Sequence, residues 1–191
     1  MRLDLIVGSN GAGKTTFVRK VLLPSTPPGT VFVNADEIAK QRWPQDPEAK
    51  SYEAAQVAAQ TRQALILAQR PFIAETVFSH PSKLDLVTDA QAAGFFVALH
   101  VVLVPENLSV KRVEYRVAAG GHAVPEEKIR GRYGRMWSLV ARAMQACDTA
   151  TVYDNSTRTG YREAARIVRG VGAVVPSWPT WTPQELSAHP W

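Results

Sequence analysis

Eight residues carry the most specific chemistry in this chain. Gly8-Ser9-Asn10-Gly11-Ala12-Gly13-Lys14-Thr15 fits G-x-x-x-x-G-K-[ST], a loop whose backbone N–H groups curl around phosphate oxygens. In that pattern the Lys14 ammonium reaches the β- and γ-phosphates of a nucleotide, and the Thr15 hydroxyl ligates Mg²⁺. ATP and Mg²⁺ are therefore the expected cofactors, with Thr16 next to the cradle. The surroundings agree: residues 3–7 read as a buried strand. Residues 16–22 read as the helix whose positive dipole end faces the phosphates.

A phosphate loop alone does not separate motors, switches and kinases, so the other polar residues must discriminate. The chain has no N-K-x-D guanine-reading motif, and the strand over 72–74 ends in Glu75 rather than a Walker-B Asp. It does have Asp36, just past a short strand at 30–33. In small P-loop kinases that position faces the acceptor hydroxyl, where a carboxylate orients the hydroxyl and accepts its proton. The competing reading is that Asp36 only caps the turn at 37–40. Glu75 and Thr76 are expected in the same cleft, holding acceptor hydroxyls or a Mg²⁺-bound water; the alternative for Glu75 is an ion pair with a lid arginine. Phosphoryl transfer also needs positive charge over the departing group and exclusion of water. Arg112 and Arg116 on one helix, and Arg130 and Arg132 on the next, are the candidates. Arg135 and Arg142 read as a solvated face.

These residues need elements to hold them. Asp46-Pro47-Glu48 has the composition of a helix start, leading a helix to about residue 69. Amphipathic patterns predict helices over 81–93, 107–119 and 126–146, and residues 95–104 are the near-continuous apolar run of a strand covered on both faces. His100, inside that run, reads as a hydrogen-bonded core residue. A fifth strand covers 149–153; residues 162–168 are either helix or edge strand, and 171–175 read as extended. The alternation predicts an α/β fold: a P-loop kinase-like, doubly wound, mostly parallel five-stranded sheet with a helical, arginine-bearing lid. We expect a kinase domain over 1–156, its lid at about 107–146 hinged at Gly120-Gly121. A Trp- and Pro-rich appendage over 157–191 either packs on that domain or trails it.

The chain has 191 residues, 46% hydrophobic and 20% charged, the balance of an ordinary globular protein. No apolar run is long enough to span a bilayer, the first residues read as a core strand rather than a leader, and the single Cys147 has no internal disulfide partner. A cytoplasmic protein with no membrane contact is expected. Net charge is +5, with much of the basic excess between Lys111 and Arg142. That clustering resembles part of a site, lacks the aromatic interleaving of single-strand binding platforms, and makes nucleic acid an unfavoured partner.

The stretches 8–15, 34–39 (Asn-Ala-Asp-Glu-Ile-Ala), Glu75-Thr76, 120–126 (Gly-Gly-His-Ala-Val-Pro-Glu), Arg132-Tyr133 and Asp154-Asn155-Ser156 together resemble the zeta-toxin family of P-loop kinases, nearest its short bacterial branch, often labelled a predicted ATPase. The resemblance covers about residues 2–156. It implies an ATP- and Mg²⁺-dependent kinase whose acceptor is the 3′-hydroxyl of UDP-N-acetylglucosamine, and a cognate antitoxin as partner. By that resemblance Asp36 matches the catalytic base, Lys14 and Thr15 the ATP/Mg²⁺ residues, Glu75 the sugar-nucleotide pocket and Arg116 the first lid arginine. His122 falls where a zeta toxin has its second lid arginine, and Arg130 or Arg132 is the substitute. Asn34, Glu75, Thr76, Arg112, His122 and Arg130 make up the expected substrate side. Two other functions stay open from sequence: a kinase acting on a nucleic-acid end or another nucleotide, and a non-enzymatic, ATP-dependent binding module.

Overall fold

Five short apolar segments set the frame of the computed structural model, which describes residues 1–121 and 123–191. They are Arg2–Val7 (β1), Val31–Val33 (β2), Phe72–Thr76 (β3), Phe96–Leu103 (β4) and Thr149–Asp154 (β5), all parallel. Parallel strands need crossovers, and the intervening helices supply them. These are Lys14–Phe17 (α1), Ala35–Arg42 (α2), Ser51–Leu67 (α3), Ser82–Ala92 (α4), Glu106–Ala118 (α5) and Glu126–Ala146 (α6). The helix after the phosphate loop is α for one turn and widens to a π-helical turn at Val18–Leu22, a distortion common beside functional sites.

The sheet has seven strands, not five. Arg162–Val168 (β6) and Val171–Gly172 (β7) extend it antiparallel, in the order β2-β3-β1-β4-β5-β6-β7. A bulge explains why β6 was ambiguous. Tyr153 pairs with Glu163 while Val152 pairs with Ala165, so Ala164 is an extra residue. Ala164 and Ala165 are then both buried, and the period-two alternation that marks a strand is broken.

A second difference lies before α3. The helix begins at Ser51, five residues after the expected cap. Asp46 Oδ1 accepts from the Ala49 N–H (3.2 Å), closing a turn, and Glu48 Oε1 is engaged by the Ala123 N–H at 2.6 Å. The acids expected to start a helix instead shape the connection beside the cleft.

The main core lies between the sheet and helices α3, α4 and α6. Met136, Trp137, Val140, Ala143 and Met144 of α6 are buried in it, so only the first half of that helix is available to a lid. The tail packs on the domain. Trp178, Trp181 and Trp191 rest against the core, and Leu186 of the short helix Gln184–Ser187 (α7) is fully buried. Cys147 is buried at the end of α6, and burial pushes its thiol up to about 12, leaving it an inert packing residue. No helix among the described residues is long and apolar enough to cross a membrane.

One polar cluster sits inside the sheet. Asp4 on β1 is flanked by His100 on β4, with Nε2 2.9 Å from Oδ1, and by Arg2, whose Nε and Nη2 donate to both carboxylate oxygens. Burial alone would raise the Asp4 carboxyl; the hydrogen bonds to His100 and Arg2 outweigh it and hold the group below the usual carboxylate range. A depressed carboxylate stabilises the fold above its unfolded value, near 3.9, and loses that contribution as pH falls through its folded value. We expect Asp4→Asn to lower the unfolding free energy by about 1–3 kcal/mol at neutral pH. The deficit should shrink as pH falls below the unfolded value and wild-type Asp4 itself becomes protonated. Urea denaturation across that range measures it, and a deficit independent of pH would assign the loss to packing.

Candidate active site

The loop after β1 sits where the order of strands reverses, with β3 on one side of β1 and β4 on the other. Open α/β sheets bind ligands at that point, beyond the carboxyl ends of their strands. The loop needs its glycines. A Cβ on Gly8 would stand 2.5 Å from the Val102 carbonyl oxygen, and Gly13 adopts φ 95°, a left-handed conformation that L side chains rarely take. These constraints bring the chain tightly against β4 and turn it into α1.

Three residues from distant parts of the chain fix the loop's backbone. Asn155 Nδ2 donates to the Ala12 carbonyl (2.9 Å), the Tyr161 hydroxyl donates to the Gly13 carbonyl (2.8 Å), and the Ser109 hydroxyl bonds the Asn10 carbonyl. Each occupies a loop carbonyl and so ties down the backbone whose N–H groups are the expected phosphate donors. Ser9, Asn10 and Ala12 are buried as a result, and Gly11 packs against α5. Arg112 joins this buttress through Nη2 to the Asn155 carbonyl, 2.9 Å away. Ser109, Asn155 and Tyr161 escaped the sequence-based site assignment. Asn155 sat at a strand end and had signal, but Ser109 and Tyr161 had none.

Lys14 is 7% exposed; its Nζ donates to the Ser9 carbonyl (2.9 Å) and lies 3.9 Å from Glu75 Oε1. Glu75 also accepts from the Thr15 hydroxyl (2.9 Å to Oε2) and from Asn34 Nδ2 (2.7 Å). Burial pushes the Lys14 ammonium down, opposed by the charges of Glu75 and Asp36 and reinforced by those of Arg116 and Arg132. Burial pushes the Glu75 carboxyl up, opposed by Lys14, Thr15 and Asn34. Glu75 is thus tied to the loop itself rather than to a lid arginine.

Asn34 takes the capping role that one reading gave to Asp36. It caps α2, its Oδ1 accepting from the Asp36 N–H (2.8 Å) and the Glu37 N–H (3.2 Å). With the cap supplied by Asn34, the Asp36 side chain is free of that task. It lines the cleft, and among the described residues no hydrogen bond or ion pair engages its carboxylate.

The cleft encloses about 860 Å³ and is lined by the loop, Thr16, Asn34, Asp36, Glu75, Thr76, Arg112, Arg116, Lys128 and Arg132, among others. Arg132 Nη1 reaches to 3.5 Å from Asn10 Oδ1. Arg130 does not join them. Its side chain turns to Glu126 (2.8 Å), Glu106 and Asn107 on the outside of α5 and α6. His122 lies outside the described residues. Past Thr76 the floor is made by Phe78, fully buried at a left-handed φ of 67°. Bulky residues take that conformation only where the surroundings enforce it, and such strain gathers at functional sites. Here it carries the chain along the cleft wall to Ser79.

Residues 2–165 match the family model described as zeta toxin. A Haemophilus influenzae protein with no described function is 28% identical over 127 residues, covering 66% of this chain and 88% of its own. The fold resembles the AvrRxo1-ORF1:AvrRxo1-ORF2 complex with ATP (TM-score 0.69, 16% identity, 91% of this chain and 60% of that one). It also resembles a structure from the PezAT chromosomal toxin–antitoxin system of Streptococcus pneumoniae (TM-score 0.64, 13% identity, 87% and 72%). This chain therefore spans about 60% of the length of the AvrRxo1 chain it matches.

The loop's dependence on its buttresses is testable. Tyr161→Phe removes one hydroxyl and leaves the ring packed on Phe17. We expect it to cost about 0.5–1.5 kcal/mol of stability and to weaken binding of a non-hydrolysable ATP analogue several-fold. Thermal denaturation and calorimetric titration measure the two. A loss of stability with unchanged nucleotide affinity would make Tyr161 a packing residue only.

Proposed function

The chain belongs to the zeta-toxin family of P-loop kinases, and from that premise we propose that it transfers the γ-phosphoryl group of ATP to a hydroxyl of a small molecule. A sugar nucleotide such as UDP-N-acetylglucosamine is the acceptor we favour. The observation that carries this reading is the Asp36 carboxylate, relieved of capping by Asn34 and opening on the same cleft as Lys14 and Glu75.

In this reading the loop N–H groups and Lys14 hold the β- and γ-phosphates. Asp36 orients the acceptor hydroxyl and takes its proton as the bond to phosphorus forms. Arg116 and Arg132 lean in from α5 and α6 to offset the charge that spreads over the equatorial oxygens in the transition state. Thr15 and Glu75 suit Mg²⁺: both offer hard oxygen donors, they are already in contact, and Mg²⁺ takes only one or two protein ligands beside phosphate and water. When bound, Mg²⁺ neutralises phosphate charge. Glu75 has a further part before that: beside Lys14, it offsets the cost of burying an ammonium.

The cytoplasm, where ATP is available, is the expected place of action. A cognate antitoxin is the expected protein partner, by analogy with the system named for the Streptococcus pneumoniae structure. The neighbouring gene and the effect of induced expression on cell-wall integrity address that role.

We expect Asp36→Asn to retain binding of the ATP analogue while phosphoryl transfer falls by about 10²- to 10⁴-fold. The assay incubates the protein with ATP, Mg²⁺ and a panel of UDP-sugars, nucleosides, nicotinamide dinucleotides and oligonucleotides. Mass spectrometry reads a gain of about 80 Da, one HPO₃. Transfer at the wild-type rate in the variant would remove Asp36 from the reaction.

A further inference from the structure

Two cations on another wall of the cleft have no part in holding ATP. Arg62 projects from α3 and Lys83 from α4, and both line the cavity. Arg62 is 6% exposed, yet among the described residues no hydrogen bond or ion pair engages its guanidinium. Burial lowers it from its ordinary value with no charge nearby to offset the effect. Lys83 is half-buried and has no described side-chain partner; burial pushes its ammonium down and the positive charge of Arg62 pushes it further.

A buried guanidinium without an acid is costly, and a like charge beside it adds to the cost. Two other cations of the cleft are compensated: Lys14 has Glu75, and Arg112 has the Asn155 carbonyl. The Arg62–Lys83 wall has no such compensation. Its chemistry is that of an anion site, with a planar fork of N–H donors beside a point charge, matched to the oxygens of a phosphate. The helix leaves room to reach it. Tyr52, Ala55 and Ala58 line the cavity from the same helix, the alanines small and Tyr52 72% exposed. Tyr52 to Arg62 spans about 15 Å along the helix, long enough for a nucleotide-sized ligand.

We infer that Arg62 and Lys83 form a second anion subsite, which holds the phosphate or diphosphate group of the phosphoryl acceptor. The acceptor is then a phosphate ester, not a neutral sugar. This rests on reading the cleft as that of a phosphotransferase, with the loop taking ATP and this wall taking the other substrate.

The test keeps the two readings apart by measuring binding without turnover. The protein is saturated with a non-hydrolysable ATP analogue and Mg²⁺, so that the loop is filled, and inorganic pyrophosphate is titrated calorimetrically. Wild type should bind it. Arg62→Gln and Lys83→Gln should each weaken that binding by about 10- to 100-fold while leaving affinity for the ATP analogue unchanged, and Arg62→Lys should restore part of it. In the ligand-free protein Arg62→Gln should melt at the same temperature or higher, because an uncompensated buried charge is gone. Absence of pyrophosphate binding in wild type, or wild-type affinity in both Gln variants, would overturn the subsite. So would an Arg62→Gln that melts lower with Lys83→Gln binding normally, since Arg62 would then be structural. If the variants lose pyrophosphate as expected but no acceptor gains a phosphoryl group in wild type, the subsite stands and the kinase reading falls.

Discussion

The ammonium of Lys14 is buried at the end of the central strand, and much of the fold answers to that one charge. Taking an ammonium out of water is expensive unless an acid and oriented dipoles stand in for the lost solvent. Ser9 supplies a carbonyl from the loop, and Glu75 supplies the acid from the next strand. Glu75 is itself buried and needs partners, which Thr15 and Asn34 provide. Asn34 in turn caps α2 and so aims Asp36 into the cleft. Loop, Asp36 and neighbouring strand ends are thus one connected network, and the position of Asp36 follows from how the lysine is accommodated.

Much of this could be read in the sequence because its causes are local. The loop is a contiguous motif, its strand and helix adjoin it, and Asp36 and Glu75 each follow an apolar run that marks a strand end. Geometry along one helix also bore on the lid. Arg130 and Arg132, about 200° apart on an α-helix, cannot share a face, and only Arg132 enters the cleft. Whether Arg130 or Arg132 did so depended on the partners of α6, and Glu106 and Glu126 drew Arg130 outward.

The unread parts depend on contacts distant in sequence. Ser109, Asn155 and Tyr161 bond loop carbonyls across 99 to 148 residues, and no local pattern announces such a bond. The bulge at Ala164 masked β6 by placing two consecutive residues on the buried side. Asp46 and Pro47 looked like a helix start, but the closed turn and the Glu48–Ala123 contact delayed the helix to Ser51. No sequence pattern singles out Arg62; the packing of α3 against the cleft shows it buried without an acid among the described residues.

The cleft holds most of the net charge of the chain. Seven cationic and three acidic side chains line it, an excess of four against a chain total of +5. Neutralising Lys14 and Glu75 together would leave that excess unchanged, because each removes one charge of opposite sign. The net positive charge is therefore concentrated in the cleft, where we propose that two phosphate-bearing ligands meet. Concentrated like charge destabilises an empty cleft and favours a filled one. The fold bears that strain because the same elements carry a core: α3, α4 and α6 bury Ile66, Val87 and Met144 against the sheet while Arg62, Lys83 and Arg132 line the cleft. Burial in the core stabilises the chain while the cleft stays electrostatically unsatisfied, so in the proposed reading the charges that weaken the free protein are those that select its ligands.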